Sequence, residues 1–184
     1  ASSDMGAFVL FSSMLKRLSI KLSKIANDLR LLSMGPRAGI GEINLPPQQP
    51  GSSIMPGKIN PVIPEAVSQV AYKVIGNDLS VTMAAEAGQL QLNAMEPLIA
   101  YSVLDSITLL TRAMHMFEHK CISGITANVE HCRAQVTNSI GIITAVNPYI
   151  GYENASRIAK LALSSGRAVL DIVREEGLLS EEKL

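Results

Sequence analysis

Four polar groups, Ser52, Ser53, Lys58 and Asn60, fall within nine residues of the stretch Gly51-Ser-Ser-Ile-Met-Pro-Gly-Lys-Ile-Asn-Pro61. Lys58 supplies a fixed positive charge suited to a carboxylate, and Asn60 can donate through its side-chain amide. A serine here could act as base or nucleophile if neighbouring donors and positive charge held its alkoxide. Gly51 allows positive φ and gives the segment a pivot, and Gly57 adds a second flexible point. Plainer readings stand beside these. Ser52 and Ser53 could stabilise a turn through hydroxyl-to-backbone bonds. Asn60 could cap a helix with Pro61 at its first position, and Glu65 could be an ordinary first-turn acid. Pro64 argues against the Asn60 cap, because it would remove an early helical hydrogen bond. A helix start near Ile63 fits better and leaves Asn60 available to a ligand.

The Gly-Lys pair invites comparison with a phosphate-binding loop, which the spacing excludes. That loop has four residues between its first glycine and Gly-Lys, then Ser or Thr. Here five residues separate Gly51 from Gly57, and Ile59 follows Lys58. Pro56 removes one backbone N–H that would face phosphate, and the preceding Ile43-Asn-Leu-Pro-Pro-Gln-Gln-Pro50 is too proline-rich for the required strand. His115-Met-Phe-Glu-His119 matches the H-x-x-E-H pattern of inverted zinc peptidases. It lies in an apolar helical stretch with no obvious third ligand, so it is read as ordinary helix histidines and no metal is assigned. His131 reads as a surface residue near a helix start.

The elements around the loop are helical. Phe8, Phe11, Leu15, Leu18, Leu22, Ile25, Leu29 and Leu32 alternate steps of three and four, a heptad seam that ends at Gly35-Pro36. The seam predicts a long bundle helix with these residues in its core, and Lys16, Arg17, Lys21, Lys24 and Arg30 on a solvated or inter-subunit face. Residues 35–64 read as a loop, since six of the nine prolines fall between Pro46 and Pro64. Loops of that length inside compact domains are usually functional or disordered. Val67, Val70, Ala71, Val74 and Ile75 then share a helical face, Gly76-Asn77-Asp78 marks a possible break, and a small-residue helix continues to about Met95. Pro97 starts or kinks another helix, with Leu104, Ile107, Leu110, Met114 and Phe117 in its apolar set. These segments are apolar around most of their circumference, which asks for more cover than one chain supplies. Shorter helical stretches begin near Asn128, where a domain boundary is placed.

Composition agrees with packed helices: 47% hydrophobic residues, 4% aromatic and no Trp. Sixteen basic and sixteen acidic residues cancel, so nothing points to nucleic acid or a membrane surface. No signal peptide or apolar run of membrane-spanning length is visible. Cys121 and Cys132 lack metal-type spacing, and a reduced cytoplasmic protein is the simpler reading. The first residue is not Met, and Ser180 with Glu181 and Glu182 reads as a helix start that does not complete itself. Both ends are therefore expected to be cut from a longer chain.

The stretch 51–61 resembles the GSSxMPxKxNP signature of the fumarase/aspartase superfamily at every fixed position. Residues 23–43, Lys73-Val-Ile-Gly-Asn-Asp78 and Met83-Ala-Ala-Glu-Ala-Gly-Gln-Leu-Gln-Leu-Asn-Ala-Met-Glu-Pro97 are similar to the aspartase branch. Asn60-Pro-Val-Ile-Pro-Glu65 follows the aspartase form, where fumarases usually continue NPTQxE. Gln89-Leu-Gln-Leu-Asn93 stands where fumarases tend to carry N-F-E-L-N. The resemblance implies an all-α fold: a long-helix bundle, with residues 1–128 part of the central bundle domain and 129–184 the start of a small helical C-terminal domain. It implies deamination of L-aspartate to fumarate and ammonia without an organic cofactor. Ser52 would be the base that takes a Cβ proton, and Ser53, Lys58 and Asn60 would bind substrate carboxylate. Glu65 would be a supporting acid facing a histidine outside this chain, and Gly51 and Gly57 would let the loop close. The resemblance also implies a homotetramer whose active sites draw on several subunits. A fumarate hydratase of the same superfamily and a non-catalytic helical scaffold are the alternatives.

Overall fold

The structure, a computed structural model, describes residues 3–35, 38–51, 54–55 and 57–180, so Ser52, Ser53, Pro56 and the Glu181-Glu182 helix start lie outside the described residues. The chain divides into two compact units, one running to Ala127 and the other starting at Asn128. The first holds helices α1 (Gly6–Leu32), α2 (Val62–Glu86) and α3 (Glu96–Lys120), with strands β1 (Ile43–Asn44) and β2 (Thr126–Ala127). The second holds α4 (Val129–Asn138), α5 (Ile143–Ile150), α6 (Tyr152–Ser165) and α7 (Val169–Glu175). The architecture is all-α as expected. Added to the helices is the short antiparallel pairing of Ile43 with Ala127 and Asn44 with Thr126, which ties the loop after α1 to the segment after α3.

In the first unit α2 lies between α1 and α3 and packs on both. Its α1 side corrects the heptad reading. None of the eight seam residues is fully buried, and Phe8, Phe11, Leu18 and Ile25 are exposed at 47%, 44%, 36% and 46%. The buried stripe of α1 is instead Ser12, Ser19, Ser23 and Ala26. Small side chains let two helices approach closely, and the large apolar residues are left on the outer face. Leu15, Leu22 and Leu29 are half-buried along the edge of the contact. The serines are not idle. Ser12 Oγ donates to Asp78 Oδ1 at 2.8 Å, and Lys16 Nζ reaches Asp78 Oδ2 at 2.5 Å. A charge buried in a helix interface is costly unless paired, and Asp78 is paired twice.

The other side of α2 packs on α3 through Val81, Ala84, Ile99 and Val103, with Met5 closing one end. Full burial of a Val or Ile side chain is worth about 1.5–3 kcal/mol. The expected break at Gly76-Asn77-Asp78 does not occur: α2 runs unbroken to Glu86. Asn77 turns its amide towards α3, donating to Asp105 Oδ2 at 2.9 Å and Ser106 Oγ at 3.0 Å, and its Oδ1 accepts from Lys73 Nζ at 2.7 Å. Its side chain thus bonds across the interface instead of competing with the helical backbone. The expected continuation of a helix to Met95 also fails, because residues 87–95 form a turn. Buried Asn93 closes it: Nδ2 donates to the Ala84 carbonyl at 2.9 Å and Oδ1 accepts from Met95 N–H at 2.8 Å. One side chain therefore satisfies an orphan carbonyl of α2 and positions the start of α3, where Pro97 stands in the first turn.

The second unit closes around Val146, Ile150, Ala155, Ile158, Ala162, Val169, Ile172 and Val173. Gly151 and Gly166, at φ +79° and +70°, make the turns on either side of α6. Arg157 binds Glu176 through both Nη1 and Nη2, and these bonds hold the Glu176 carboxyl below the usual carboxylate range.

Candidate functional site

The loop between α1 and α2 is anchored before it reaches the polar cluster. Glu42 N–H donates to the Leu32 carbonyl at 2.9 Å, folding the chain back on the end of α1. The β1–β2 pairing then ties it to the segment after α3, reinforced by Asn44 Nδ2 donating to Thr126 Oγ1 at 3.3 Å. Next comes a steric fit: a Cβ at Gly124 would lie 2.6 Å from Pro46 Cγ, so only glycine lets Pro46 sit there.

Beyond that anchor the loop turns on itself. Gly51 has φ +41° and Gly57 φ +85°, both in the region that favours glycine. A Cβ at Gly51 would lie 3.2 Å from the Lys58 carbonyl oxygen, so the two backbone segments are in close contact. Lys58 N–H donates to the Met55 carbonyl at 3.1 Å, and the Asn60 carbonyl accepts from Val62 N–H at 2.9 Å. Helix α2 starts at Val62, one residue earlier than Ile63, and Asn60 does not cap it with its side chain. Lys58 is exposed and Asn60 half-buried. Among the described residues neither side chain has an ion-pair or hydrogen-bond partner, which leaves an ammonium and an amide available to a ligand.

Glu65 occupies the first turn of α2, where the helix dipole favours a carboxylate. Its Oε1 lies 3.7 Å from Arg30 Nη2, in the last turn of α1. Both groups are partly exposed, so the pair contributes at most about 1 kcal/mol. Its use is positional, since it sets a carboxylate beside the point where the loop rejoins the bundle. Sequence reasoning placed Arg30 on a generic charged face and missed this contact; the helical phase of Arg30 alone does not show what stands across from it. The structure therefore brings Gly51, Gly57, Lys58, Asn60 and Glu65 into one segment ending on α2, and the Ser52 and Ser53 assignments lie outside the described residues.

The other constellations resolve separately. His115 and His119 stack on an exposed face of α3, ring centroids 4.6 Å apart, with their Nδ1 atoms 3.1 Å apart. Among the described residues no group of three or more His, Cys, Asp or Glu side chains could hold a metal. Cys121 is buried at the end of α3, and burial pushes its thiol up from the ordinary range. No described helix is long and apolar enough to cross a membrane.

Comparison with known proteins adds the family. Residues 1–76 match the family described as "Lyase", and residues 142–184 match "Fumarase C C-terminus". All 184 residues align with an aspartate ammonia-lyase of Pseudomonas aeruginosa at 73% identity, and the chain spans 39% of that relative's length. A fumarate lyase:delta crystallin from Brucella melitensis, in a crystal structure bound to cobalt, superposes with a TM-score of 0.93 at 61% identity, covering 98% of this chain and 39% of that one. A class II fumarase from Schistosoma mansoni gives 0.87 at 35% identity, over 99% of this chain and 38% of that one. With its helices in the same arrangement and its whole sequence aligned to such relatives, the chain belongs to the fumarase/aspartase superfamily of lyases.

Proposed function

We propose that the full-length protein deaminates L-aspartate to fumarate and ammonia. The observation that carries this is the 73% identity to an aspartate ammonia-lyase across every residue of the chain, against 35% to a class II fumarase. The chain spans well under half of those relatives, so the reading concerns the protein that supplies the remainder.

In this reading Ser52 is the base that removes a Cβ proton from aspartate. The electron pair left behind spreads into the neighbouring carboxylate as an aci-carboxylate, and then expels ammonia from Cα. The leaving amine is already protonated, so it departs neutral without a general acid. Lys58, Asn60 and Ser53 bind the carboxylate oxygens on which charge accumulates, and fixed donors aimed at developing charge are the largest source of rate in such eliminations. The Lys58 and Asn60 side chains, without a partner among the described residues, support that role. Glu65 stands behind them and faces a histidine from outside this chain. Positive φ at Gly51 and Gly57 suits a loop that closes over substrate, and closure would exclude water and bring Ser52 to the C–H bond. The reaction as written needs no organic cofactor. The first unit is then part of the central bundle of a homotetramer, the second begins a C-terminal domain, and the enzyme works in the cytoplasm.

The test is fumarate formation by the full-length protein, with L-aspartate and L-malate offered in parallel. Turnover of aspartate alone is expected. Malate turnover instead would make the protein a hydratase, and silence on both would favour a helical scaffold. In the same protein Ser52→Ala should lower kcat by at least about 100-fold, the low end of general-base contributions, and leave the assembly intact. Near-normal turnover in that variant would remove Ser52 as the base.

A further inference from the structure

We infer that His115 and His119 form a two-histidine chelate for a borderline first-row divalent cation such as Zn²⁺, on the outer face of α3. The pair lies outside the loop site, and the inference does not rest on the proposed deamination.

The first support is distance. Zinc binds imidazole nitrogen at about 2.0–2.1 Å, so two nitrogens sharing one ion stand about 3.3 Å apart in tetrahedral and about 2.9 Å apart in octahedral coordination. The observed Nδ1–Nδ1 separation is 3.1 Å, between those values. Residues four apart on a helix face the same way, so no rearrangement of backbone is required. The second support is the present state of the nitrogens. His119 Nδ1 also lies 3.0 Å from the His115 carbonyl oxygen. A carbonyl only accepts, so the tautomer that satisfies both contacts has His119 protonated on Nδ1 and His115 accepting through Nδ1. In that tautomer, with no cation, one Nδ1 proton of His119 is shared between the His115 carbonyl and His115 Nδ1.

Metal binding replaces that proton. It passes through solvent to Nε2 of His119, and two neutral imidazoles then present Nδ1 lone pairs to one ion, with water in the remaining positions. The rings are 23° from parallel, so each must turn about χ2 for the lone pairs to converge. That torsion is broad for histidine, and both residues are exposed. Local charge is mixed. His119 lies in the last turn of α3, where the dipole favours a cation, and Glu118 Oε2 lies 3.8 Å from His119 Nδ1. Arg112, one turn before His115, opposes it. With two protein ligands the site suits a cation that prefers imidazole; Mg²⁺, which prefers oxygen and gives up water reluctantly, is excluded on chemistry.

The experiment is Zn²⁺ titration of the metal-stripped full-length protein by calorimetry, beside His115→Ala and His119→Ala. Wild type should take up one more equivalent per subunit than either variant, or bind that equivalent at least about tenfold more tightly, as loss of a ligand should cost no less than loss of its supporting bonds. A tenfold excess of Mg²⁺ should not displace it. Zinc should also raise the melting temperature of wild type more than of the variants, by binding the folded helix alone. Circular dichroism identifies any variant that has lost its fold, and Glu118→Gln, which leaves both imidazoles, should retain most of the affinity. Equal stoichiometry and affinity in wild type and both histidine variants would overturn the inference and leave a hydrogen-bonded pair.

Discussion

At the scale of single residues, chemistry here divides by access. Lys58 and Asn60 stand beside the glycines that shape their loop with side chains that no other described residue claims, whereas Cys121, 1% exposed, is sealed behind Ala26, Val67 and Phe117. Desolvation penalises the thiolate, which is the nucleophilic form, so burial removes both access and reactivity. Iodoacetamide at pH 8 should therefore label Cys121 in the native protein markedly more slowly than after unfolding in urea. Peptide mass spectrometry measures it, and equal rates would mean that α3 frays at its end. The polar cluster from Gly51 to Asn60 was legible in the sequence, because its residue types are crowded into one short segment. The Arg30–Glu65 contact was not, because its partners meet only when α1 and α2 have docked.

At the scale of elements, the helices were legible and their buried faces were not. Periodicity finds the helix, but it cannot say which of two stripes faces the neighbour. In α1 the large seam of Phe8, Phe11, Leu18 and Ile25 is the more conspicuous signal, and the chain buries Ser12, Ser19, Ser23 and Ala26 instead. The apparent weak point in α2 was misread for a related reason. Asn77 and Asp78 are poor helix formers in isolation, yet each is held by side chains of an adjacent helix. Asn77→Ala should consequently destabilise the α2–α3 contact by about 1–3 kcal/mol, because Asp105 Oδ2 and buried Ser106 Oγ both lose the amide that donates to them, leaving Ser106 its bond to the Ser102 carbonyl and Asp105 only the more distant Lys73. A lower thermal midpoint in the full-length protein, with helix content unchanged below it, is the expected result. An unchanged midpoint would mean that water replaces the amide.

At the scale of the whole molecule, the outstanding fact is uncovered apolar surface. Phe8, Phe11, Leu79, Met83, Leu98, Tyr101 and Leu104 are all exposed along the three long helices. Leu79, Met83, Met95 and Leu98 also line an open groove between α2 and α3. A set this large along helix faces is unusual for a monomer that remains dispersed in water. The 184-residue chain produced alone should accordingly self-associate, with a light-scattering mass that exceeds 19.7 kDa and grows with concentration. Leu104→Lys together with Met83→Lys should reduce that growth. A mass fixed at the monomer value would mean that the exposed faces need no cover. The excess of apolar helix faces over available partners was legible from the sequence, since it follows from composition around each helix.

The contact between Gly124 and Pro46 reaches across these scales. Gly124 belongs to no signature and carries no chemistry, yet the smallest side chain placed there would collide with the strand of chain that leads to Lys58. The set of amino acids tolerated at position 124 is thus narrowed by a loop distant in sequence. A methyl group there would act as a wedge, and its effect would be felt where the loop begins, through shape alone.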